Sequence, residues 1–229
     1  LKSSGKVSQM CDFKEVNIAE FQTKPFEIFG KDWMALCAGN AQTGYNAMTI
    51  AWGHLGSLWE RGSHANRLPT VTCFVRPSRY TKEFIDHEPY FTLCAFKPGD
   101  KKALGYLGSH SGRDGDKFKV AGLTPVFKDS TVYCAEAETV YICRKLYAAP
   151  LREESFIDRE LVEFNYPNRD FHTLYIGEVV KILQKASQKA LPENLRGRAL
   201  LFVFVMRVLS ATPPRSAPCT PRRWGGRPR

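Results

Sequence analysis

The sequence has no apolar run long enough to cross a bilayer. ALLFVFVMRVL, Ala199 to Leu209, is far shorter than the ~20 apolar residues a spanning helix needs, and Arg207 interrupts it. No C-x-x-C occurs among the seven cysteines, Cys11, Cys37, Cys73, Cys94, Cys134, Cys143 and Cys219. Most sit in apolar, strand-like runs, which predicts small buried thiols in a reducing, cytoplasmic compartment. Histidines number five, and none stands at metal-ligand spacing from cysteines or carboxylates, so no metal site is expected. Neither G-x-S-x-G nor a paired-carboxylate motif is present, which leaves hydrolase chemistry unsupported. No G-x-G-x-x-G follows a strand, which excludes a Rossmann dinucleotide site.

Acidic residues are scarce at one end only. The net charge is +10, but residues 186–229 hold nine Lys and Arg against one acid, and Lys2 and Lys6 precede Met10. Residues 10–185 are therefore balanced, so a basic nucleic-acid groove on the folded part is not expected. Hydrophobic residues make up 43%, enough for a packed core. Residues 1–10 read as a leader, disordered or artificially added, with Met10 as a natural start. Residues 11–185 read as one domain, and the Arg/Pro-rich segment 186–229 as a tail outside the fold. A tail that binds nucleic acid or membrane is the rival reading of that segment.

Within the domain the prevailing pattern is strand. Strands are predicted over Trp33–Gly39, Ala47–Trp52, Thr70–Val75, Tyr90–Phe96, Thr131–Tyr147 (bulged near Glu136) and Thr173–Leu183. Short helices are predicted over Thr81–His87 and Lys101–Gly108, with a further apolar-acidic piece from Glu153 to Phe164. Many strands with few short helices indicate a mainly β barrel or sandwich rather than a doubly wound sheet.

Three clusters carry chemistry. In VRPSRYTKEF a strand breaks at Pro77 and a helix follows, with Thr81 as a predicted N-cap and Glu83 in the first turn. Arg76 and Arg79 offer planar forks that match phosphate oxygens, and Ser78 and Thr81 add hydroxyls. In NAMTIAWG, alternation puts Asn46, Met48, Ile50 and Trp52 on one face and Ala47, Thr49 and Ala51 on the other. The first face suits a flat, partly polar ring; a plain core strand is the alternative. GSHSGRDGDKF is a Gly-rich loop in which Ser109, Ser111, Arg113 and Lys117 supply donors to an anion, with Asp114 placed to hold Arg113. His172 stands alone at the start of a strand.

In this order NxMTxxWG, VRPSRYT, SGRDGDKF and HxxYIGEV resemble the flavin reductase-like family, FMN-binding split β-barrels that include the flavoredoxins. KDWMALCAGN, LTPVF and NYP…DFH extend the resemblance over about Cys11 to Lys185, but not to either end. It implies a Greek-key-like barrel holding non-covalent FMN. Asn46, Met48, Thr49 and Trp52 would lie beside the isoalloxazine ring and ribityl chain; Arg76, Ser78, Arg79 and Thr81 would seat the phosphate. Ser109, Ser111, Arg113 and Lys117 would close over the phosphate end, and His172 would stand near the reactive side of the flavin, with no residue assigned as catalytic. The implied activity is electron transfer from NAD(P)H through FMN to a flavin, metal or protein acceptor. A flavoredoxin-type carrier reduced by a redox protein is the alternative, and an enzyme resembling pyridoxamine-phosphate oxidase a further one. A homodimer is implied, with no nucleic-acid or membrane partner. ERGSHANRLP, Glu60 to Pro69, is longer than the corresponding segment in many members and would reshape the pocket entrance.

Overall fold

The computed structural model describes residues 13–62 and 67–186. The leader, nearly all of the 186–229 tail and the middle of the Glu60–Pro69 insertion lie outside the described residues.

Alternation in MALCAGN builds the centre of the molecule. Strand β2 (Met34–Asn40) turns Met34, Leu36 and Ala38 to one side and Ala35 and Cys37 to the other, and all five are fully buried. A strand buried on both faces needs cover on both. The first face joins Ile85, Phe91, Leu93, Tyr141 and Tyr175 in the interior. The second packs under α3 (Lys102–Ser109), α4 (Lys117–Ala121) and a separate hairpin of β7 (Pro125–Lys128) and β8 (Thr131–Cys134). Each large apolar side chain removed from water there contributes about 1.5–3 kcal/mol before entropy is subtracted.

β2 lies between β3 (Gly44–Ile50) and β6 (Tyr90–Ala95). The sheet continues through β9 (Thr139–Pro150), β10 (Thr173–Lys185) and β5 (Arg67–Val75) to β4 (Gly53–Glu60). Every pairing is antiparallel. One edge of β10 serves two strands in turn: β5 pairs with Thr173–Glu178 and β1 (Phe13–Val16) with Ile182–Lys185. Register shifts between Ile176 and Gly177, and between Val179 and Lys181, bend β10 against β9.

The outermost strands, β3 and β4, are consecutive in the chain, and only Ala51 and Trp52 separate them. Two residues span only about 7 Å when extended, so the sheet must coil until its edges meet. The result is a barrel with a seam. The single strand predicted over Thr131–Tyr147 is broken: β8 ends at Cys134 and β9 begins at Thr139. Between them Ala137 N–H donates to the Cys134 carbonyl and Glu138 N–H to that of Ala95. No helix among the described residues is long and apolar enough to cross a membrane.

Candidate functional site

Pro77, with no N–H to give a ladder, follows the end of β5, and the chain turns there, Arg79 N–H donating to the Arg76 carbonyl at 3.1 Å. Helix α2 (Thr81–His87) follows with the predicted bounds, but Thr81 does not cap it. The cap position belongs to Tyr80, which makes no side-chain cap bond. Thr81 Oγ1 instead accepts from Asn46 Nδ2 at 3.0 Å, joining α2 to β3 through two buried polar groups. Thr49 donates its hydroxyl proton to the Leu104 carbonyl of α3.

The two arginines of the bend have different fates. Arg76 is consumed: Nη1 meets Asp170 Oδ1 at 2.6 Å, Nη2 donates to the Asn165 carbonyl at 2.8 Å, and its guanidinium lies 5.2 Å over the Tyr166 ring. It clamps α5 (Arg159–Asn165) and the following loop rather than offering a free fork. Arg79 donates from Nη1 to the Gly108 carbonyl at 2.8 Å and makes no salt bridge among the described residues. Lys117 is 5% exposed, and Nζ donates to the Leu107 carbonyl at 2.5 Å, again without a carboxylate. Burial, with the Arg79 charge adding to it, holds the Lys117 ammonium down at about 8. Two cations thus stand together, bonded to carbonyls and, among the described residues, to no carboxylate.

The loop after α3 is anchored locally. Ser109 Oγ donates back to the Gly105 carbonyl at 2.8 Å, and Ser111 Oγ accepts from Arg113 N–H at 3.2 Å. Arg113 is paired with Glu83 of α2, not with Asp114, and stacks 4.7 Å over Tyr80. Gly112 presses on Asn46: a Cβ there would lie 2.4 Å from Asn46 Oδ1.

These elements enclose two adjoining clefts that share Met48 and Arg79. The first, about 160 Å³, is lined by Asn46, Ser78, Arg79, Thr81, Ser109, Ser111 and Lys117 among others. The second, about 120 Å³ at the seam, is lined by Thr49, Trp52, Phe74, Arg76, Arg79 and His172 with their neighbours. Of the predicted site residues only Arg113 lines neither. Met48 and Ile50 turn into the barrel core, so the predicted face is not an open platform; Met48 floors both clefts from below. A larger open hollow elsewhere is lined by one segment alone, Asp158–Phe164.

His172 is 8% exposed, with Nδ1 2.8 Å from the Tyr166 hydroxyl and its ring 4.9 Å from that of half-exposed Trp52. Burial first, then the Arg76 charge, lowers its pKa from 6.5 to about 4, so it is neutral at neutral pH. The unfolded chain takes up a proton below 6.5 while the folded chain waits until about 4, so stability falls as pH drops through that window. The expected loss is on the order of 2–3 kcal/mol. His172→Gln should flatten the denaturant-midpoint profile between those pH values; an unchanged slope overturns the assignment. Phe74, Tyr80, Tyr166 and Asp170 complete the site and were not singled out from sequence, although Tyr80 lies in VRPSRYT and Tyr166 and Asp170 in NYP…DFH. Gly112 is one of the loop glycines expected to allow close approach to a ligand.

A family model described as flavin reductase like domain matches residues 65–203, past the Lys185 boundary drawn from composition. No curated protein is similar enough in sequence to match. Among solved structures, the FMN-binding domain of a flavin reductases-like enzyme from Shewanella baltica OS155 has a TM-score of 0.51. It is 16% identical over 76% of this chain and 78% of that one. An FMN-binding protein from Thermus thermophilus scores 0.50, at 20% identity, with 77% and 85% covered. The NADH:FAD oxidoreductase of Streptomyces globisporus C-1027 scores 0.50, at 17% identity, with 70% and 81% covered. The structural likenesses concern the fold, a split barrel. With the family model spanning more than half its length, the chain belongs to the flavin reductase-like family.

Proposed function

We propose that the chain binds FMN along the seam and works as an FMN-dependent oxidoreductase with NAD(P)H as electron donor. The observation that carries this reading is Lys117, a buried ammonium beside Arg79, with no carboxylate on either cation among the described residues. Such a pair is costly to keep charged unless an anion joins it. A phosphate monoester suits it: two cations, the Ser78 hydroxyl at the rim and a loop that Gly112 lets approach closely. The donor set fits FMN better than unphosphorylated riboflavin.

A bound flavin would supply hydride acceptance from a nicotinamide and electron delivery to a flavin, metal or protein acceptor. The chain's part is to hold and shield it. Arg79 and Lys117 fix the phosphate end, Asn46 ties β3 to α2 behind it, and Arg76 braces the segment that carries His172. Trp52 and neutral His172 wall the seam and keep water from its inner end. A nicotinamide donor draws support from the NADH:FAD oxidoreductase among the structural neighbours.

Purified protein should show the visible spectrum of oxidised flavin and bleach when titrated anaerobically with NADH or NADPH. Bleaching only by a reduced redox protein would replace the nicotinamide donor with a flavoredoxin-type role. A colourless protein that fails to take up added FMN would overturn the reading. Arg79→Ala should raise the Kd for FMN about ten- to a hundredfold, as expected for a lost charge-assisted bond, and leave riboflavin within about threefold. Equal losses for both ligands would remove Arg79 from the phosphate seat.

A further inference from the structure

Three cysteines distant in sequence meet on the outer side of the barrel, under the helices and the β7–β8 hairpin. Cys37 comes from β2, Cys94 from the adjacent β6 and Cys134 from the end of β8. The Cys37 Sγ lies 3.9 Å from that of Cys94 and 3.8 Å from that of Cys134, and all three sulfurs fall within 4.8 Å of one another. All three residues are fully buried. The other described cysteines, Cys73 and Cys143, belong to the barrel interior instead.

Contact alone would bring packed thiols this close, but the spacing also fits a shared ion. Three sulfurs about 2.3 Å from one centre stand about 3.8 Å apart in a tetrahedral arrangement and about 4.0 Å apart in a trigonal plane. Two sides of the triangle have that length without any movement. A backbone donor also points at the cluster: Cys134 N–H lies 3.4 Å from Cys94 Sγ. N–H···S bonds of this kind stabilise sulfur as thiolate in metal sites. No histidine or carboxylate belongs to the group among the described residues, so the donor set is wholly soft.

We propose that Cys37, Cys94 and Cys134 form a three-thiolate site for one thiophilic d10 cation, zinc(II) or copper(I). Binding replaces the three thiol protons, which leave to solvent; no electron is transferred. The ion would pin the β7–β8 hairpin to the central strands.

The test uses the full chain, reduced and anaerobic, with Cys11→Ser and Cys219→Ser introduced to silence the two cysteines outside the described residues. Zinc(II), copper(I) and cadmium(II) are each added alone, and the desalted protein is assayed for metal. One ion per chain is expected in at least one physiological arm, the zinc and copper arms deciding which, with a thiolate-to-metal charge-transfer band for cadmium. Cys37→Ala and Cys134→Ala should each lower metal affinity at least tenfold, while the equally buried Cys73→Ala keeps it. Retention of the ion by Cys37→Ala, or no stoichiometric ion in any arm, overturns the site. X-ray absorption on the parent protein needs no cluster variant: three sulfur neighbours support the proposal, and an oxygen- or nitrogen-dominated shell refutes it.

Discussion

Lys117→Met should make the flavin-free protein more stable and cost it FMN. The native ammonium is buried against the Leu107 carbonyl with Arg79 nearby, and its pKa falls from 10.5 to about 8. A lysine with a depressed folded pKa penalises the folded state fully below that pKa, where both states are charged. The penalty fades as pH rises from about 8 to 10.5, because the folded chain sheds its proton first. Wild-type apoprotein should therefore gain stability on the alkaline side of neutrality, and the methionine variant should lack that slope. At pH 7 the variant's net gain is on the order of 1–2 kcal/mol, after allowing about 1 kcal/mol for the Leu107 carbonyl left without its donor. Affinity should move the other way, with the Kd for FMN rising about a hundredfold at neutral pH and that for riboflavin little changed. Urea melts of the apoprotein from pH 7 to 10.5, with flavin titrations alongside, check both halves. A variant that is less stable and binds FMN normally would return Lys117 to a purely structural role.

The largest loss of stability should come from Gly39→Ala. Gly39 has φ of 102°, in the region that glycine alone occupies freely, at the hairpin joining β2 to β3. An added Cβ would stand 2.1 Å from the Gly44 carbonyl oxygen and 2.6 Å from Tyr45 Cα, and both are backbone atoms that cannot swing aside. Asn40 makes the turn stiffer still, accepting from Gln42 and Thr43 N–H at 2.8 and 3.0 Å while donating to Glu88 at 3.1 Å. Strain and displacement together should cost at least ~3 kcal/mol, or a Tm about 10 °C lower for a domain of this size. Flavin should be lost with the hairpin, since β3 carries Asn46. A Tm within about 2 °C of wild type would show that the turn relaxes at little cost.

How much of this could be read from residues alone depends on range. Helix α2 starts and stops where predicted because Pro77 and the change of period mark it locally, and α3 is displaced by one residue. GHLGSLWE gave no strand signal, for its glycines and exposed positions do not alternate; β4 exists because β5 offers it a ladder. The long strand from Thr131 failed because Thr131–Cys134 pairs with Pro125–Lys128 instead of the main sheet. The chemistry of the bend was visible, but its division of labour was not. Arg76 and Arg79 are equivalent by composition, and only contacts far along the chain, Asp170, the Asn165 carbonyl and the Tyr166 ring, distinguish them by occupying the first. Arg113 was assigned Asp114 as partner by proximity in sequence, whereas tertiary packing supplies Glu83. The sulfur cluster joins residues 57 and 40 positions apart in sequence, beyond any spacing rule.

Ala51 and Trp52 join the two free edges of the coiled sheet. The width of the mouth there is set by a covalent tether and not by a hydrogen-bonded ladder. A residue inserted beside Trp52 would loosen the aperture while leaving every strand pair intact, so this short strap is where evolution or design can resize the entrance without renegotiating the fold.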